Sequence, residues 1–329
     1  MVVAGQKIDE LFDFGRVCTD RVRAAVRFEL KPAEVFSGGG LQIDCHVEAV
    51  CMLPYSLQVG ALRAVDSGQE LEPRDEEFGF DPAFTERVQS VALWFYRNYW
   101  RVEVDGMKNV PAKGRALLAA NHAGIVPYDG AMIRTAIMAE HPHPRHARML
   151  VVDWAFAMPF TNMLLVKTGN VLAHPDNASA LLERDELVGV FPEGVKGAAK
   201  RYRDRYRVTR FGRGGFVQVA LRTGSPIIPV AVVGSEELHP VLFDLQPLAR
   251  LFGLPAIPIT PTLPWLGLAG LIPLPSKWFI AFGKPINVSH FGPEAANDTR
   301  LVLELTEEVR SWIQKTVDQL RGRRRTIFF

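Results

Sequence analysis

The chain has 329 residues, 48% of them hydrophobic and 22% charged, which suits a large folded core and excludes a disordered protein. A net charge of +2 excludes a molecule-wide field drawing the protein to nucleic acid, so any attraction for anions must be local. Cys18, Cys45 and Cys51, an odd count with no CxxC spacing, exclude a disulfide framework and fit a reducing compartment.

The N-terminus, MVVAGQKIDELFDFGR, places acids where an export signal needs an apolar run, which predicts a cytoplasmic protein. Residues 1–83 read as an extension: a helical stretch at Asp9–Glu29, a Ser-Gly-Gly-Gly break at 37–40, and an acidic segment from Glu70 to Asp81. A regular domain is expected over 84–325, with a short tail at 326–329. Its first helix runs from Phe84 to about Tyr99. Strands are expected at Arg101–Val104, Ala116–Ala120, Met149–Val152, Val188–Phe191, Ile227–Val233 and Phe279–Phe282. Helices are expected between them at Tyr128–Glu140, Trp154–Lys167, Asn177–Glu183 and Gly215–Arg222. This alternation predicts an α/β fold with a mixed, largely parallel sheet flanked by helices. His141, His143 and His146, interleaved with Pro142 and Pro144, read as a helix-to-strand loop rather than a metal site. The run Leu251–Ser276 carries no charge, but six prolines exclude a membrane-spanning helix and point to an apolar loop on the surface or on the core. The last helix starts at a cap near Asp298 and passes Leu320, with Val302, Leu305, Val309, Ile313 and Val317 on one face. The basic residues Arg321, Arg323, Arg324 and Arg325 before Ile327-Phe328-Phe329 suit either an anionic membrane surface or a solvated tail.

Two segments carry chemistry. Asn121-His122-Ala123-Gly124-Ile125-Val126-Pro127-Tyr128-Asp129 follows a β-like run and leads into a helix. Acyl transfer to a hydroxyl needs a base of near-neutral pKa, and a carboxylate on the far ring nitrogen would orient that base. Asp129, past Gly124 and Pro127, can fold back to His122; taken alone, the pair reads more readily as a helix-capping Asp and a backbone-satisfied His. Phe191-Pro192-Glu193-Gly194 also follows an apolar run, where Glu193 can accept from substrate hydroxyls and Gly194 permits close backbone approach, or the four form a plain turn. Eight cations between Lys196 and Arg213, against the single Asp204, form a local anion site for coenzyme A phosphates, a carrier protein or lipid headgroups. Stacking aromatics are too few there for nucleic acid. Trp154, Phe156, Met158, Phe160, Met163 and Leu164 suit an acyl tunnel, the bilayer interface or a core helix.

Together the two segments, with Gly169-Asn170-Val171 and Ser225-Pro226-Ile227-Ile228-Pro229-Val230, resemble the four blocks of the lysophospholipid acyltransferase family, over about 84–310. The resemblance implies an O-acyltransferase with His122 as base and Asp129 as its partner. It also implies Asn121, Glu193, Gly194 and Lys196 at the substrate, an acyl-CoA or acyl-carrier-protein donor, a lysophospholipid-like or neutral glycerolipid acceptor, and no cofactor. It further implies a peripheral place on the cytoplasmic membrane face. Three departures stand out. Six residues separate His from Asp where the family usually has four, as in a branch with Pro before the Asp; Pro175 stands where the family has a phosphate-holding arginine; and Val195-Lys196 replaces a hydroxyl residue and arginine. A non-catalytic lipid-binding protein of the same fold and an acyl-thioesterase are the rival readings.

Overall fold

The computed structural model describes residues 78–122, 124, 126–156, 161–198, 200–245 and 258–328. The expectations for Asp9–Glu29, for most of the acidic segment, and for Met158 and Phe160 lie outside them. A first helix, α1 (Pro82–Trp94), is capped by Asp81, whose carboxylate accepts from the Phe84 amide at 2.9 Å, and Pro82 takes the first turn, where no amide donor is needed. The aromatic run Phe95–Tyr99 continues it as a wider turn of helix.

Strands follow at β1 (Glu103–Asp105), β2 (Ala116–Ala120), β3 (Ala147–Val151), β4 (Val171–Leu172), β5 (Leu187–Val190), β6 (Ile227–Val233), β7 (Phe243–Asp244), β8 (Pro258–Ile259) and β9 (Phe279–Phe282). Seven of them form one sheet in the order β1-β9-β6-β2-β5-β3-β4, and β7 with β8 forms a separate antiparallel ribbon. The strands from β6 to β4 run parallel, while β9 is antiparallel to β6 and carries β1 parallel to itself. The expected mixed, largely parallel sheet is thus the observed one.

Every residue of β2 and β6 is buried, as continuous apolar runs in a parallel sheet covered on both faces should be. Alternation divides them. Leu117, Ala119, Ile227, Ala231 and Val233 face a core closed by the helices α3 (Pro175–Glu183), α4 (Gly215–Thr223) and α5 (Thr299–Arg323). Ala116, Leu118, Ala120, Ile228, Val230 and Val232 face a second core closed by α2 (Tyr128–Glu140) and the aromatic end of α1, where Trp100 stacks on Trp278 at 5.2 Å. On α5 the predicted face is the buried one, and Asp298 accepts from the Arg300 and Leu301 amides as its N-cap.

The expected helix at Trp154–Lys167 is described in two pieces, a single helical turn at Asp153–Phe156 and a helix at Thr161–Lys167. The short strands β4, β7 and β8 escaped the sequence reading because a two-residue strand carries no measurable period. Of the four C-terminal arginines, two are tied into the fold while Arg321 and Arg325 stay exposed. Arg324 forms a buried pair with Glu237 at 2.8 Å, Arg323 pairs with Asp105, and the Ile327 carbonyl accepts from the Lys277 amide at 2.9 Å.

Ile313 lies fully buried where α5 meets the sheet. Ile313→Ala should lower unfolding free energy by about 2–5 kcal/mol in urea titration, whereas truncating the exposed Leu303 nearer the N-terminus of that helix should cost far less.

Candidate active site

Because β5, β2 and β6 are adjacent and parallel, the loops leaving their C-terminal ends emerge side by side at one sheet edge, the usual ligand-binding edge of an open α/β sheet. The loop after β2 carries Asn121 and His122, that after β5 carries Phe191 to Gly194, and that after β6 carries Gly234 to His239.

Asp129, the second residue of α2, is fully buried and turns its Oδ2 to His122 Nδ1 at 2.6 Å, while its Oδ1 accepts from the Gly130 amide at 2.9 Å. The helix start favours a carboxylate there. The six-residue spacing is therefore spanned, with Gly124 in the left-handed region at φ 100°. Nδ1 carries the proton in this arrangement, since an ionised carboxylate can only accept. His122 Nε2 has no hydrogen-bond partner among the described residues, and the ring, stacked on Phe191 at 4.5 Å, keeps 14% of its side chain exposed. An imidazole oriented by a buried carboxylate, with its other nitrogen free at a strand edge, is arranged to take a proton.

Two residues expected to touch substrate are employed differently. Asn121 is buried, its amide donating to the Val232 carbonyl at 2.9 Å and its oxygen accepting from the Val232 amide at 2.7 Å, so it extends the β2–β6 pairing past the strand end. Glu193 points inward, not toward an acceptor. Its Oε1 accepts from the His122 amide at 2.9 Å and from Lys200 Nζ at 3.0 Å, and its Oε2 from the Thr209 amide and hydroxyl at 2.6 and 2.7 Å. With those donors on a fully buried side chain, it has no lone pair to offer a substrate. Gly194, at φ 58°, has open space where a side chain would stand and makes the turn into the short helix Val195–Ala198. Gly197 in that helix is required by contact: a Cβ there would lie 2.6 Å from Glu193 Cβ and 3.1 Å from His122 Cβ. Lys196 lies in the same helix; its side chain is outside the described residues.

The structure also brings in residues that sequence reasoning missed. Lys200, read only as one of a basic run, is the buried counterion of Glu193. Ser235, Glu236 and Glu237 are buried beside the His122 loop, with Ser235 3.4 Å from the point where Gly124 would carry a Cβ. Their one sequence signal was position, directly after the apolar run of β6. Burial, and next the Glu237 charge, push Glu236 up to about 7 from its ordinary 4.5, while Lys200 pulls it down. Of the three histidines between α2 and β3, His141 is buried with its ring nitrogens facing the backbone at His143 and Val110, as a loop residue.

A family model described as Acyltransferase matches residues 101–233, the span that holds His122, Asp129 and Glu193. An uncharacterized protein of Mycobacterium tuberculosis (strain ATCC 25618 / H37Rv) is 49% identical over 255 residues, covering 77% of this chain and 71% of its own. The chain belongs to the acyltransferase family. Chloroplastic phytyl ester synthase 2 of Arabidopsis thaliana is 26% identical to this acyltransferase over 67% of the chain, though over only 34% of the plant protein. The crystal structure of the 1-acyl-sn-glycerophosphate (LPA) acyltransferase PlsC from Thermotoga maritima has the same fold, with a TM-score of 0.51, 18% identity, and coverage of 85% of this chain and 94% of that one.

Two measurements probe this acyltransferase's buried charges. Lys200→Met leaves the Glu193 carboxylate without its cation and should cost about 3–5 kcal/mol of stability by urea titration. For Glu236 the raised folded value means its stabilisation is full below about pH 4.5 and is lost as pH rises through about 7. Glu236→Gln, which imitates the protonated form, should therefore match wild type near pH 4 and exceed it at pH 8 by on the order of 1–3 kcal/mol. Equal differences at both pH values would refute the assignment.

Proposed function

We propose that this acyltransferase moves a fatty acyl chain from a thioester, acyl-CoA or acyl-carrier protein, to the hydroxyl of a lipid acceptor at a membrane surface. The carrying observation is the 2.6 Å His122–Asp129 pair with Nε2 free at the strand edge. In the reaction, Nε2 takes the acceptor's hydroxyl proton as its oxygen attacks the thioester carbonyl. Asp129 stabilises the imidazolium that forms. As the tetrahedral intermediate collapses, the C–S bond breaks and the proton passes to the departing thiolate, leaving ester, thiol and neutral histidine. Transfer is direct, for no serine stands in a GxSxG setting.

For the acceptor, Pro175 at the place of the family's phosphate-holding arginine favours a neutral glycerolipid or long-chain alcohol over lysophosphatidic acid. The plant relative's name points the same way and the PlsC name the other. For the membrane, Trp265, Leu266 and Ile272 are 75%, 59% and 63% exposed in a segment whose far end is tied to the aromatic end of α1. There Tyr99 Oη donates to the Pro273 carbonyl and Trp100 Nε1 to the Leu274 carbonyl. Trp94 on that helix is 53% exposed as well. Such an apolar, aromatic rim suits insertion into a headgroup layer. Among the described residues no helix is long and apolar enough to cross a membrane.

Purified protein incubated with palmitoyl-CoA and a mixture of lysophosphatidic acid, monoacylglycerol, diacylglycerol and hexadecanol should yield a new ester by mass spectrometry, of a neutral acceptor in preference to the phosphorylated one. His122→Ala should reduce its rate by about 10²–10⁴-fold. Ester formed equally well by the variant would remove His122 as base, and fatty acid released without any acceptor would instead indicate a thioesterase.

A further inference from the structure

The basic segment after the short helix Val195–Ala198 has little to hold it in place. Of residues 201–210 only Tyr206 and Val208 are buried, and a cavity of about 980 Å³ lies between the segment and the outer face of α5. Yet this segment carries Thr209, whose amide and hydroxyl meet Glu193 Oε2 at 2.6 and 2.7 Å, and Glu193 Oε1 in turn meets the His122 amide at 2.9 Å. Where the segment sits therefore bears on where the His122 backbone sits.

Tyr206 is the anchor of this segment. Its φ of 66° lies in the left-handed region, which a bulky side chain keeps only where its surroundings impose it. Gln314 of α5 imposes part of it, donating to the Tyr206 carbonyl at 3.0 Å and accepting from the Val208 amide at 2.8 Å. The rest comes from a buried cluster that joins three distant parts of the chain. Glu237, in the turn after β6, accepts on Oε1 from the Tyr206 hydroxyl. Arg324, just past the end of α5, donates from Nη1 to that same oxygen at 2.8 Å and to Tyr206 Oη at 3.3 Å. Its Nη2 donates to the Ile327 carbonyl, which also accepts from the Lys277 amide at 2.9 Å, so the guanidinium is fixed on both sides. Burial, and next the Glu237 charge, push the Tyr206 pKa up, so the hydroxyl keeps its proton and donates. The Arg324 and Glu237 side chains are only 3% and 1% exposed, so little water reaches either charge and each depends on the other.

We infer that Arg324 is a positioning residue for His122: through Glu237 and Tyr206 it sets the place of Thr209, and through Thr209 that of Glu193 and the His122 amide. The inference rests on the acyl-transfer reading, in which His122 is the base. Topology supports it from the other side as well. β2 lies between β5 and β6, and Glu237 follows Ser235, which comes within 3.4 Å of the point where Gly124 of the His122 loop would carry a Cβ. Arg324 therefore ties together the segment that follows β5 and the turn that follows β6, the two neighbours of the His122 loop. A guanidinium committed in this way to Glu237, Tyr206 and Ile327 has no free face for a lipid headgroup, in contrast to exposed Arg325 beside it.

The test uses the full-length protein and two readouts. With palmitoyl-CoA and the mixture of lysophosphatidic acid, monoacylglycerol, diacylglycerol and hexadecanol, Arg324→Met should lower kcat at least tenfold while KM for palmitoyl-CoA stays within threefold of wild type, since a small misplacement of a base costs rate more than binding. Arg324→Lys, which keeps the charge but cannot meet Glu237, Tyr206 and Ile327 together, should recover part of the loss. Arg325→Met should leave both parameters at wild-type values. The second readout is amide hydrogen exchange by NMR, which a role in overall stability alone would raise evenly. In Arg324→Met the His122 and Thr209 amides should exchange at least tenfold faster relative to the amides of β2. Thermal melts establish that each variant is folded. Should Arg324→Met fail to fold, Tyr206→Phe, which removes only the hydroxyl link to Glu237 and Arg324, carries both measurements, with an expected loss of at least threefold in kcat and a threefold rise in exchange. The inference is overturned if either kcat or the relative exchange of these two amides matches wild type, if KM rises with kcat unchanged, or if Arg325→Met loses as much as Arg324→Met. If wild type forms no ester, the transfer reading falls and the exchange rates alone decide whether Arg324 holds His122 in place.

Discussion

Glu193 is the point on which the site depends. A buried carboxylate is stable only when its oxygens are met, and this one is met by the His122 amide, Lys200, and the amide and hydroxyl of Thr209. Those partners come from the loop after β2 and from the basic segment following the short helix that Glu193 itself precedes. One side chain thereby fixes the backbone of His122 and the wall of the neighbouring cavity together. The pair Glu193–Lys200 is costly to desolvate and more costly to break, which makes the loop arrangement nearly all-or-none.

The sheet supplies the rest of the positioning. β2 lies between β5 and β6, so His122 leaves the middle strand with supporting loops on both sides. Asn121 carries the β2–β6 pairing one residue further by bonding to Val232 with both ends of its amide, and Gly197 lets the next loop approach His122 Cβ. With its backbone held by Glu193 and its ring by Asp129 and Phe191, the imidazole has little freedom left, so little orientational entropy remains to be lost when an acceptor arrives.

Charge is separated by function in the molecule. Arg324 and Arg323 are absorbed into pairs with Glu237 and Asp105, and the acids after β6 are buried beside the His122 loop. The arginines of the 200–210 loop line a concave surface, and exposed Trp265, Leu266 and Ile272 lie on the proline-rich segment with exposed Trp94 at the end of α1.

The alternating runs of apolar residues determined the sheet and its class, because a parallel strand buried on both faces must read as an unbroken apolar segment, as Ala116–Ala120 and Ile227–Val233 do. The heptad-like spacing of Val302 to Val317 likewise determined which face of α5 is buried. His122 and Asp129 were legible too, their pairing as what the family resemblance implies; the way the six intervening residues bulge was not, since only the start of α2 at Tyr128 aims the carboxylate back. What the tertiary structure alone decided was the fate of polar side chains. Sequence places Glu193, Asn121, Lys200 and Arg324 next to motifs or in charged runs, but whether each meets a ligand or another residue depends on partners 71 to 111 positions away for the first two, 7 for the third and 87 for the fourth. Burial forces such groups to find partners, and sequence spacing does not say where those partners stand.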